Sequence, residues 1–394
     1  MATDDKIFII SGARTPTGSF GGILSGVPNH QLGAHAVKAA CERGGVAVED
    51  VDEFVIGCVG EVGGDAFIGR RVSLAAGART SSTAMAVNRL CGSGLQAIAT
   101  AAAELRVGEA KLTVAGGCEN MSRQPFMDFQ ARDAWRLGHH TLVDGSLSLV
   151  TDPWGEYPMG VTAENVADRY GITRQQQDEF AAESQCRAQK ALATGAVAAE
   201  IAPLTVKERK GERILDVDEH PRAGVTIETL GRMRPAFRSD GTVTAGNSSG
   251  INDAGSAVVV TTASEASARG LTPRAELVDF TKVGVEPEIM GYAPKYAIEK
   301  ILKRNGLTLG DIGWIELNEA FAAQAVAVIR DAKLDPAKVN PLGGAIAWGH
   351  PIGATGGILT LRLIENLHKN NLEHGLVTMC IGGGQAVAAI FRAV

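Results

Sequence analysis

The sequence lacks clustered cysteines, has little proline and contains no long run typical of a membrane span. Its six cysteines are scattered, with none within four residues of another, which excludes zinc ribbons, C-x-x-C redox motifs and dense disulfide frameworks. Proline occupies only 14 of 394 positions, so a proline-rich disordered chain is excluded as well. The uncharged run 342–361 contains six glycines, a proline and a histidine, and is therefore a poor membrane span.

Strong positive charge is also missing. The net charge is −6, so neither a nucleic-acid footprint nor a polybasic membrane patch is expected. One locally basic stretch, residues 207–213, is interpreted as a solvated loop. The alternative is that it binds a phosphorylated small molecule. Scattered single thiols suit a reducing compartment, so we expect a cytoplasmic protein.

Glycine, in contrast, is present in excess. It occupies 48 of 394 positions, whereas the usual share is about 7%. Because no G-X-Y period accompanies the glycines, a collagen is excluded. The excess therefore predicts turns and close backbone approaches at particular places in the fold.

Short apolar runs alternate with helical patterns along the chain, as in the strand 7–10 and the helix 31–43. This alternation predicts an α/β fold with a parallel sheet covered by helices. Residues 45–51 align with residues 306–312 at an offset of 261, and each stretch precedes a strand. We infer two copies of one α/β unit, with convergent patterning as the alternative.

The repeat divides the chain into three parts. Residues 1–120 form the first half, which is completed by about 252–272, and residues 273–394 form the second half. The segment 121–251 has a different pattern and is interpreted as an insertion that covers a site. Both glycine-rich copies would then converge beneath it.

Cys91 lies where a strand ends and a helix begins, in the run VNRLCGSG (87–94). A thiol at a helix N-terminus faces unpaired N–H groups and the positive end of the helix dipole. Both favour the thiolate, which is the nucleophilic form. The adjacent glycines would let a substrate approach, although a buried structural cysteine is the alternative.

Two other candidates lie in the second copy. His350, in GGAIAWGHPIGATG (343–356), occupies the turn equivalent to that of Cys91 and could take the proton of the thiol. Cys380 ends a strand before IGGG (381–384), whose N–H groups could bind an oxyanion while the thiol acts as acid or base. A packing histidine and a core cysteine are the alternatives.

Asn318 begins NEAFAAQ (318–324) after another strand, where its amide could hold a water or a carbonyl oxygen, or serve as an ordinary helix N-cap. The run GNSSG (246–250) fits G-x-S-x-G, but no clean helix start follows, so a serine nucleophile is disfavoured. His139 and His140 lack partner ligands at a metal-binding spacing, so no metal site is expected.

Together these motifs make the sequence resemble the thiolase family over nearly its whole length. The matching runs, in the family's order, are NRLCGSG (88–94), MGVTAENV (159–166), NEAFA (318–322), GHPIGATG (349–356) and CIGGG (380–384). The resemblance implies a duplicated five-layered α/β/α/β/α core with an inserted loop domain. It also implies acyl transfer between coenzyme A thioesters without a metal or redox cofactor, by a homodimer or homotetramer.

The resemblance further implies roles for particular residues. Cys91 would be the nucleophile that becomes acylated, and His350 the base that activates it. Cys380 would move the proton at the substrate α-carbon. Asn318 would hold a water that stabilises the enolate oxygen together with His350, and the backbone N–H groups of Cys91 and Gly382 would form an oxyanion hole.

Weaker resemblances concern the substrate. The inserted domain would bind CoA, with Arg222 facing the adenine-nucleotide end and Ser249 along the pantetheine. Met159 and Phe321 resemble residues that line the acyl pocket.

Departures from the family pattern bear on the acyl group. Pro158 stands where short-chain members have histidine, and Trp348 where a smaller aliphatic residue is usual. Glu316-Leu317-Asn318 is similar to degradative members, which suggests fatty acid metabolism by beta-oxidation. We favour a 3-ketoacyl-CoA thiolase of broader or unusual substrate over a strict acetoacetyl-CoA thiolase.

Rival functions remain. A decarboxylating ketoacyl synthase of related fold would lack Cys380. A non-catalytic acyl-CoA-binding protein on the same scaffold is the alternative from another class, and a serine hydrolase is more distant.

Overall fold

The computed structural model describes residues 5–133, 135–208 and 211–394. Residues 1–4 of the predicted first half, and Arg209 and Lys210 of the basic stretch, lie outside the described residues.

Sixteen strands are described. In chain order they are β1 (Ile7–Arg14), β2 (Gly18–Ser19), β3 (Glu53–Gly57), β4 (Thr83–Val87), β5 (Leu112–Asn120), β6 (Phe126–Met127), β7 (Val143–Asp144), β8 (Thr151–Asp152), β9 (Tyr157–Pro158), β10 (Leu204–Glu208), β11 (Gly211–Leu215), β12 (Asn252–Thr262), β13 (Ala275–Gly284), β14 (Ile312–Leu317), β15 (His374–Ile381) and β16 (Gln385–Ala393).

Twelve α-helices connect them within the described residues. They are α1 (Asn29–Arg43), α2 (Ile68–Ala76), α3 (Ser93–Val107), α4 (Gly145–Ser148), α5 (Met159–Tyr170), α6 (Arg174–Ala193), α7 (Ile227–Gly231), α8 (Ala263–Arg269), α9 (Ala293–Asn305), α10 (Ala322–Asp331), α11 (Ala345–Trp348) and α12 (Thr355–Lys369). Local signals match: Thr173 and Gln176 form a capping box at the start of α6, and Gly108 ends α3 in the left-handed conformation.

One sheet runs through the centre, in the order β14-β15-β16-β13-β1-β12-β5-β3-β4, with β2 beside β12. In the first half, β1 pairs antiparallel with β12, β12 antiparallel with β5, and β5 parallel with β3. The second half repeats this pattern with β13, β16, β15 and β14. Within the sheet, the halves join through two residue pairs between β1 and β13. The two copies inferred from the sequence therefore share one topology.

Helices lie on both faces and between the halves. Helices α3 and α12 share one apolar core with strands of both halves, including Leu95, Leu363 and Val377. Helices α1 and α2 cover the other face of the first half, and α9 and α10 cover that of the second. The order helix, sheet, helix, sheet, helix confirms the predicted five-layered fold.

The prediction of a parallel sheet is only partly correct. Parallel pairing is confined to β3–β4, β3–β5 and β14–β15, whereas the remaining pairs of the central sheet are antiparallel. The reason is visible at β15 and β16, which are joined by a turn at Gly382, Gly383 and Gly384 instead of a crossover helix. A short connection of this kind requires antiparallel strands.

A buried ion-pair network ties the halves to the segment between them. Arg14 of β1 binds Asp218 through two hydrogen bonds, at 2.6 and 2.9 Å, and binds Glu200 at 2.9 Å. Glu200 also accepts hydrogen bonds from Arg362 of α12. All four side chains are buried, and removal of one partner would leave an uncompensated charge. The network therefore fixes Glu200 to both halves and Asp218 to the first half.

The described residues contain neither a membrane-spanning helix nor a cluster of metal ligands. No helix there is both long and apolar enough to span a membrane. In the same part of the chain, no group of three or more His, Cys, Asp or Glu residues could hold a metal ion.

Candidate active site

Cys91 lies on a tight turn between β4 and α3. Leu90 has a positive φ of 46°, which is rare for a residue with a side chain. Two local hydrogen bonds support this conformation: Leu90 N–H donates to Asn88 Oδ1, and Ser93 Oγ donates to the Leu90 carbonyl. The turn brings Cys91 to the wall of a cavity of about 550 Å³.

The ionisation of Cys91 differs from the sequence-based expectation. Burial raises the pKa of Cys91 to about 11, although hydrogen bonds from the backbone amides of Gly382 and Cys91 act in the opposite direction. The helix N-terminus therefore does not hold a resting thiolate, because desolvation of the charged sulfur outweighs it. Proton removal must accompany attack, which requires a base nearby.

His350 lies in the wall of the same cavity and is buried. Burial lowers the pKa of His350 to about 4, so its imidazole is neutral near pH 7. Its Nδ1 is 2.7 Å from Thr355 Oγ1, whose hydroxyl donates to the Pro351 carbonyl. Thr355 Oγ1 must therefore accept a hydrogen bond from Nδ1–H, which leaves the lone pair on Nε2. This tautomer is the one that a general base needs.

Asn318 and Cys380 lie behind the cavity wall. Asn318 Nδ2 is 3.4 Å from His350 Nε2, and its Oδ1 has no hydrogen-bond partner among the described residues. Cys380 packs beside Ala320 and Met290, and burial together with the nearby Cys91 thiol raises its pKa above the ordinary value. The structure thus brings together the four predicted catalytic residues, two from strand ends and two from turns before the central helices.

The predicted substrate contacts also surround the cavity. Arg222, Ser249, Met159 and Phe321 all line it, as does Gly382. Arg222 is exposed, whereas the ring of Phe321 packs edge-on against Phe237, with centroids 6.0 Å apart.

The alternative nucleophile does not fit. Ser248 lies outside any strand-to-helix turn, and its hydroxyl donates to the Thr244 carbonyl at 2.7 Å. Trp348 does not line the cavity; it is buried against Ala188 and Ala191 of α6, with Arg362 over its ring. Its departure from the family pattern therefore bears on packing instead of the acyl pocket. Pro158 does line the cavity.

Sequence reasoning missed several residues that hold the site. Asn252 Oδ1 accepts the His350 backbone N–H at 2.9 Å. Buried Glu119 accepts hydrogen bonds from the amides of Val59, Gly60 and Gly353, and so joins the two halves beside the site. Desolvation raises the pKa of Glu119 to about 7. Only their positions near the recognised motifs could have indicated these roles.

Comparisons with known proteins agree with this architecture. The family model described as the thiolase N-terminal domain matches residues 7–264, and the thiolase C-terminal domain matches residues 271–393. Beta-ketothiolase BktB of Cupriavidus necator is 46% identical over 391 residues, covering 99% of each chain. Acetyl-CoA acetyltransferase of Paracoccus denitrificans is 44% identical over 384 residues, 97% of this chain and 98% of the relative.

A solved structure gives the same result. Human mitochondrial 3-ketoacyl-CoA thiolase in complex with CoA superposes with a TM-score of 0.95 at 38% identity, covering 100% of this chain and 99% of that one. The duplicated fold and its thiol–imidazole site define an acyltransferase. The chain belongs to the thiolase family, and its activity is thiolase acyl transfer.

Proposed function

We propose that the chain catalyses the reversible reaction of a 3-ketoacyl-CoA with CoA to give acetyl-CoA and an acyl-CoA shortened by the acetyl unit. The observation that carries this proposal is the cluster formed by Cys91 and His350 in the cavity wall and by Asn318 and Cys380 buried behind it. Two thiols beside one neutral imidazole suit an exchange that forms and breaks a thioester and moves a proton at carbon.

In the first stage, the Cys91 sulfur attacks the C3 carbonyl carbon while His350 Nε2 takes the thiol proton. The C2–C3 bond then breaks, the acyl group stays on Cys91 as a thioester, and the electron pair goes to C2. Cys380 donates its proton to C2, which gives acetyl-CoA. Asn318, through a bound water, and protonated His350 stabilise the enolate oxygen before that transfer.

In the second stage, the thiol of CoA gives its proton to the Cys380 thiolate and attacks the acyl carbonyl carbon. The Cys91 sulfur leaves and recovers its proton from His350. The amides of Cys91 and Gly382 hold the developing oxyanion, which is supported by their hydrogen bonds to the Cys91 thiol. Every proton is returned, so no metal or redox cofactor is needed.

The cavity suits a CoA thioester. Its volume, about 550 Å³, lies in the range of small-molecule sites. At its edge, exposed Arg222 would pair with the nucleotide phosphates, and Ser249 would follow the pantetheine arm. The human relative's structure in complex with CoA supports the same ligand for this chain.

The acyl preference follows from the apolar wall. The apolar side chains that line the cavity include Leu149, Val150, Met159, Phe237 and Ile352. A wall of this extent favours acyl groups larger than the one in acetoacetyl-CoA, because burial of each added methylene is worth about 0.8 kcal/mol. We therefore favour a broad 3-ketoacyl-CoA thiolase working in beta-oxidation, with the acetoacetyl-CoA enzyme as the second candidate.

The chain is proposed to act in the cytoplasm as a homodimer or homotetramer. Its six cysteines are free thiols, which fits a reducing compartment. Strand β4 ends the central sheet, leaves one edge unpaired within the described residues, and is partly exposed. Exposed Phe126, Phe129 and Trp154 offer a second apolar contact. Light scattering of the purified chain tests the assembly.

The proposed function is tested by intact-mass measurement after mixing with acetyl-CoA or a 3-ketoacyl-CoA. We expect the mass to rise by one acyl group per chain in the parent protein and in the control Cys186→Ala, which removes an exposed thiol. Cys91→Ala should show no adduct. Parent-rate turnover by Cys91→Ala would refute the proposal.

The substrate range is tested by thiolysis of a panel that starts with acetoacetyl-CoA and extends to longer, branched and ring-bearing acyl groups. We expect kcat/KM to rise beyond acetoacetyl-CoA. A strict preference for acetoacetyl-CoA would favour the second candidate.

A further inference from the structure

His220 is a second histidine in the cavity wall, between the ion-paired Asp218 and exposed Arg222. Burial, with a smaller contribution from Arg222, lowers its pKa to about 4, so the ring is neutral near pH 7. Its Nδ1 lies 3.2 Å from Asn252 Nδ2, which is a donor. Nδ1 must therefore accept, and the proton is on Nε2.

Asn252 connects His220 to the backbone of His350. Its Nδ2 donates to the Gly18 carbonyl at 2.9 Å as well as to His220, while its Oδ1 accepts the His350 N–H. The reverse orientation of the amide would place its NH2 group against the N–H of His350. Gly349 has a φ of 90°, and a Cβ there would lie 2.4 Å from the Asn252 amide. The Asn252 side chain thus packs directly against the backbone of Gly349, the residue before His350.

The ring of His220 also faces the same segment. The backbone of Ile346, in the helical turn just before His350, lies close enough to the ring to oppose the lowering of its pKa. Gln185 makes a parallel link, because its Oε1 accepts the Arg222 N–H and its Nε2 donates to the Ile346 carbonyl. Residues 220–222 and 346–350 are therefore joined by three polar side chains.

We propose that His220 is a positioning residue, which acts through Asn252 to align His350 and so links the CoA-facing segment 220–222 to proton transfer at Cys91. This inference rests on the proposed function, because it takes His350 as the base and Arg222 as a CoA contact. A shift of the His350 ring by even about 1 Å would lower the rate strongly. His220 itself touches no reacting atom.

Three substitutions separate the two sides of the ring. His220→Leu removes both ring nitrogens. His220→Asn keeps an acceptor near Nδ1 for Asn252, whereas His220→Gln places its amide near Nε2, towards Ile346. His35→Leu is the matched control, since His35 is half-buried, lies outside the cavity and bonds the Ala202 carbonyl.

We expect His220→Leu and His220→Gln to lower kcat for thiolysis about tenfold with KM for CoA changed less than about twofold. Acyl-enzyme formation, followed by quenching and intact mass, should slow by the same factor. His220→Asn should recover most of the lost kcat, and His35→Leu should match the parent. Thermal unfolding of each variant excludes a general loss of structure.

Other results overturn the inference. Unchanged kcat in His220→Leu, a rise in KM alone, or a His220→Asn variant as slow as His220→Leu would each contradict positioning through Asn252. The variant His350→Asn, measured in parallel, tests the underlying function separately. Parent-rate acylation in His350→Asn would refute the base assignment itself, whatever the His220 variants show.

Discussion

The two halves of the molecule share one topology but differ in what they bring to the site. In equivalent strands, the first half has Gly57 at the end of β3 and Gly117 within β5, whereas the second half has Asn318 just after β14 and Cys380 near the end of β15. The first half supplies the Cys91 thiol. The base, the second thiol and the amide side chain come from the second half.

The glycines of the first half have a definite use. A Cβ on Gly117 would lie 2.0 Å from the carbonyl oxygen of Gly353, and one on Gly94 would lie 2.8 Å from the same atom. Gly353 belongs to the turn that follows His350. The first half therefore lacks side chains at these positions because the catalytic turn of the second half packs there. We call the first half, into which this turn packs, the receiving half. We call the second half, which brings three of the four catalytic side chains, the reacting half.

The largest effect is expected when the second thiol, that of Cys380, is removed from the reacting half. Cys380→Ala should slow cleavage of the carbon–carbon bond about 10³-fold, because no acid remains to protonate C2. Acylation of Cys91 by acetyl-CoA should fall less, since the CoA thiolate that leaves in that step is a much weaker base than the C2 carbanion and depends less on an acid. Single-turnover intact-mass kinetics of both half-reactions check this, and equal losses in the two would contradict the proposed role of Cys380.

The next largest effect is expected on stability, when a methyl group is placed in the receiving half. Gly117→Ala should lower the free energy of unfolding by about 3 kcal/mol, because backbone atoms on two sides cannot move away cheaply. Gly231→Ala is the control, since nothing lies within 4 Å of a Cβ there. Denaturant unfolding measures both. Equal stability of the two variants would show that the close approach is not required.

A smaller effect concerns the tautomer of His350. Thr355→Val removes the hydroxyl that accepts from Nδ1, and should lower kcat about 10- to 100-fold while leaving the cavity intact. Thr355→Ser retains the hydroxyl and should restore most of the rate. Steady-state kinetics with thermal unfolding provide the measurement. Full activity in Thr355→Val would mean that Thr355 does not orient the base.

The smallest expected effect is on how the folding stability depends on pH. Burial raises the pKa of Glu316 to about 8 from an ordinary value of 4.5. The folded chain therefore keeps a proton that the unfolded chain releases, and Glu316 lowers stability as the pH rises between these values. Glu316→Gln should raise Tm by about 3 °C at pH 8.5, with the difference vanishing towards pH 4.5. The exposed Glu299→Gln should show no such trend.

The sequence alone predicts those site residues that stand in a distinctive local motif. Cys91 and His350 stand in distinctive glycine-rich turns, and Asn318 and Cys380 follow recognisable strands. Thr355, Asn252 and Glu119 carry none, because their roles depend on hydrogen bonds between residues far apart in the chain, such as Asn252 and His350. The antiparallel pairs were missed for a similar reason, since strand alternation does not specify the partner of each strand.

The partners of β1 have a consequence for how the chain is made. Ile7 pairs with Thr262 in β12, and Phe8 pairs with Glu276 in β13. During synthesis from the N-terminus, β1 emerges long before either partner exists, so the sheet of the first half stays incomplete until two-thirds of the chain has been translated. Closure of such a long loop is entropically costly and slows folding. The buried Arg14 of β1 likewise waits for Asp218 until more than half of the chain has been made. The apolar first strand therefore stays without either of its strand partners through most of the synthesis of the chain.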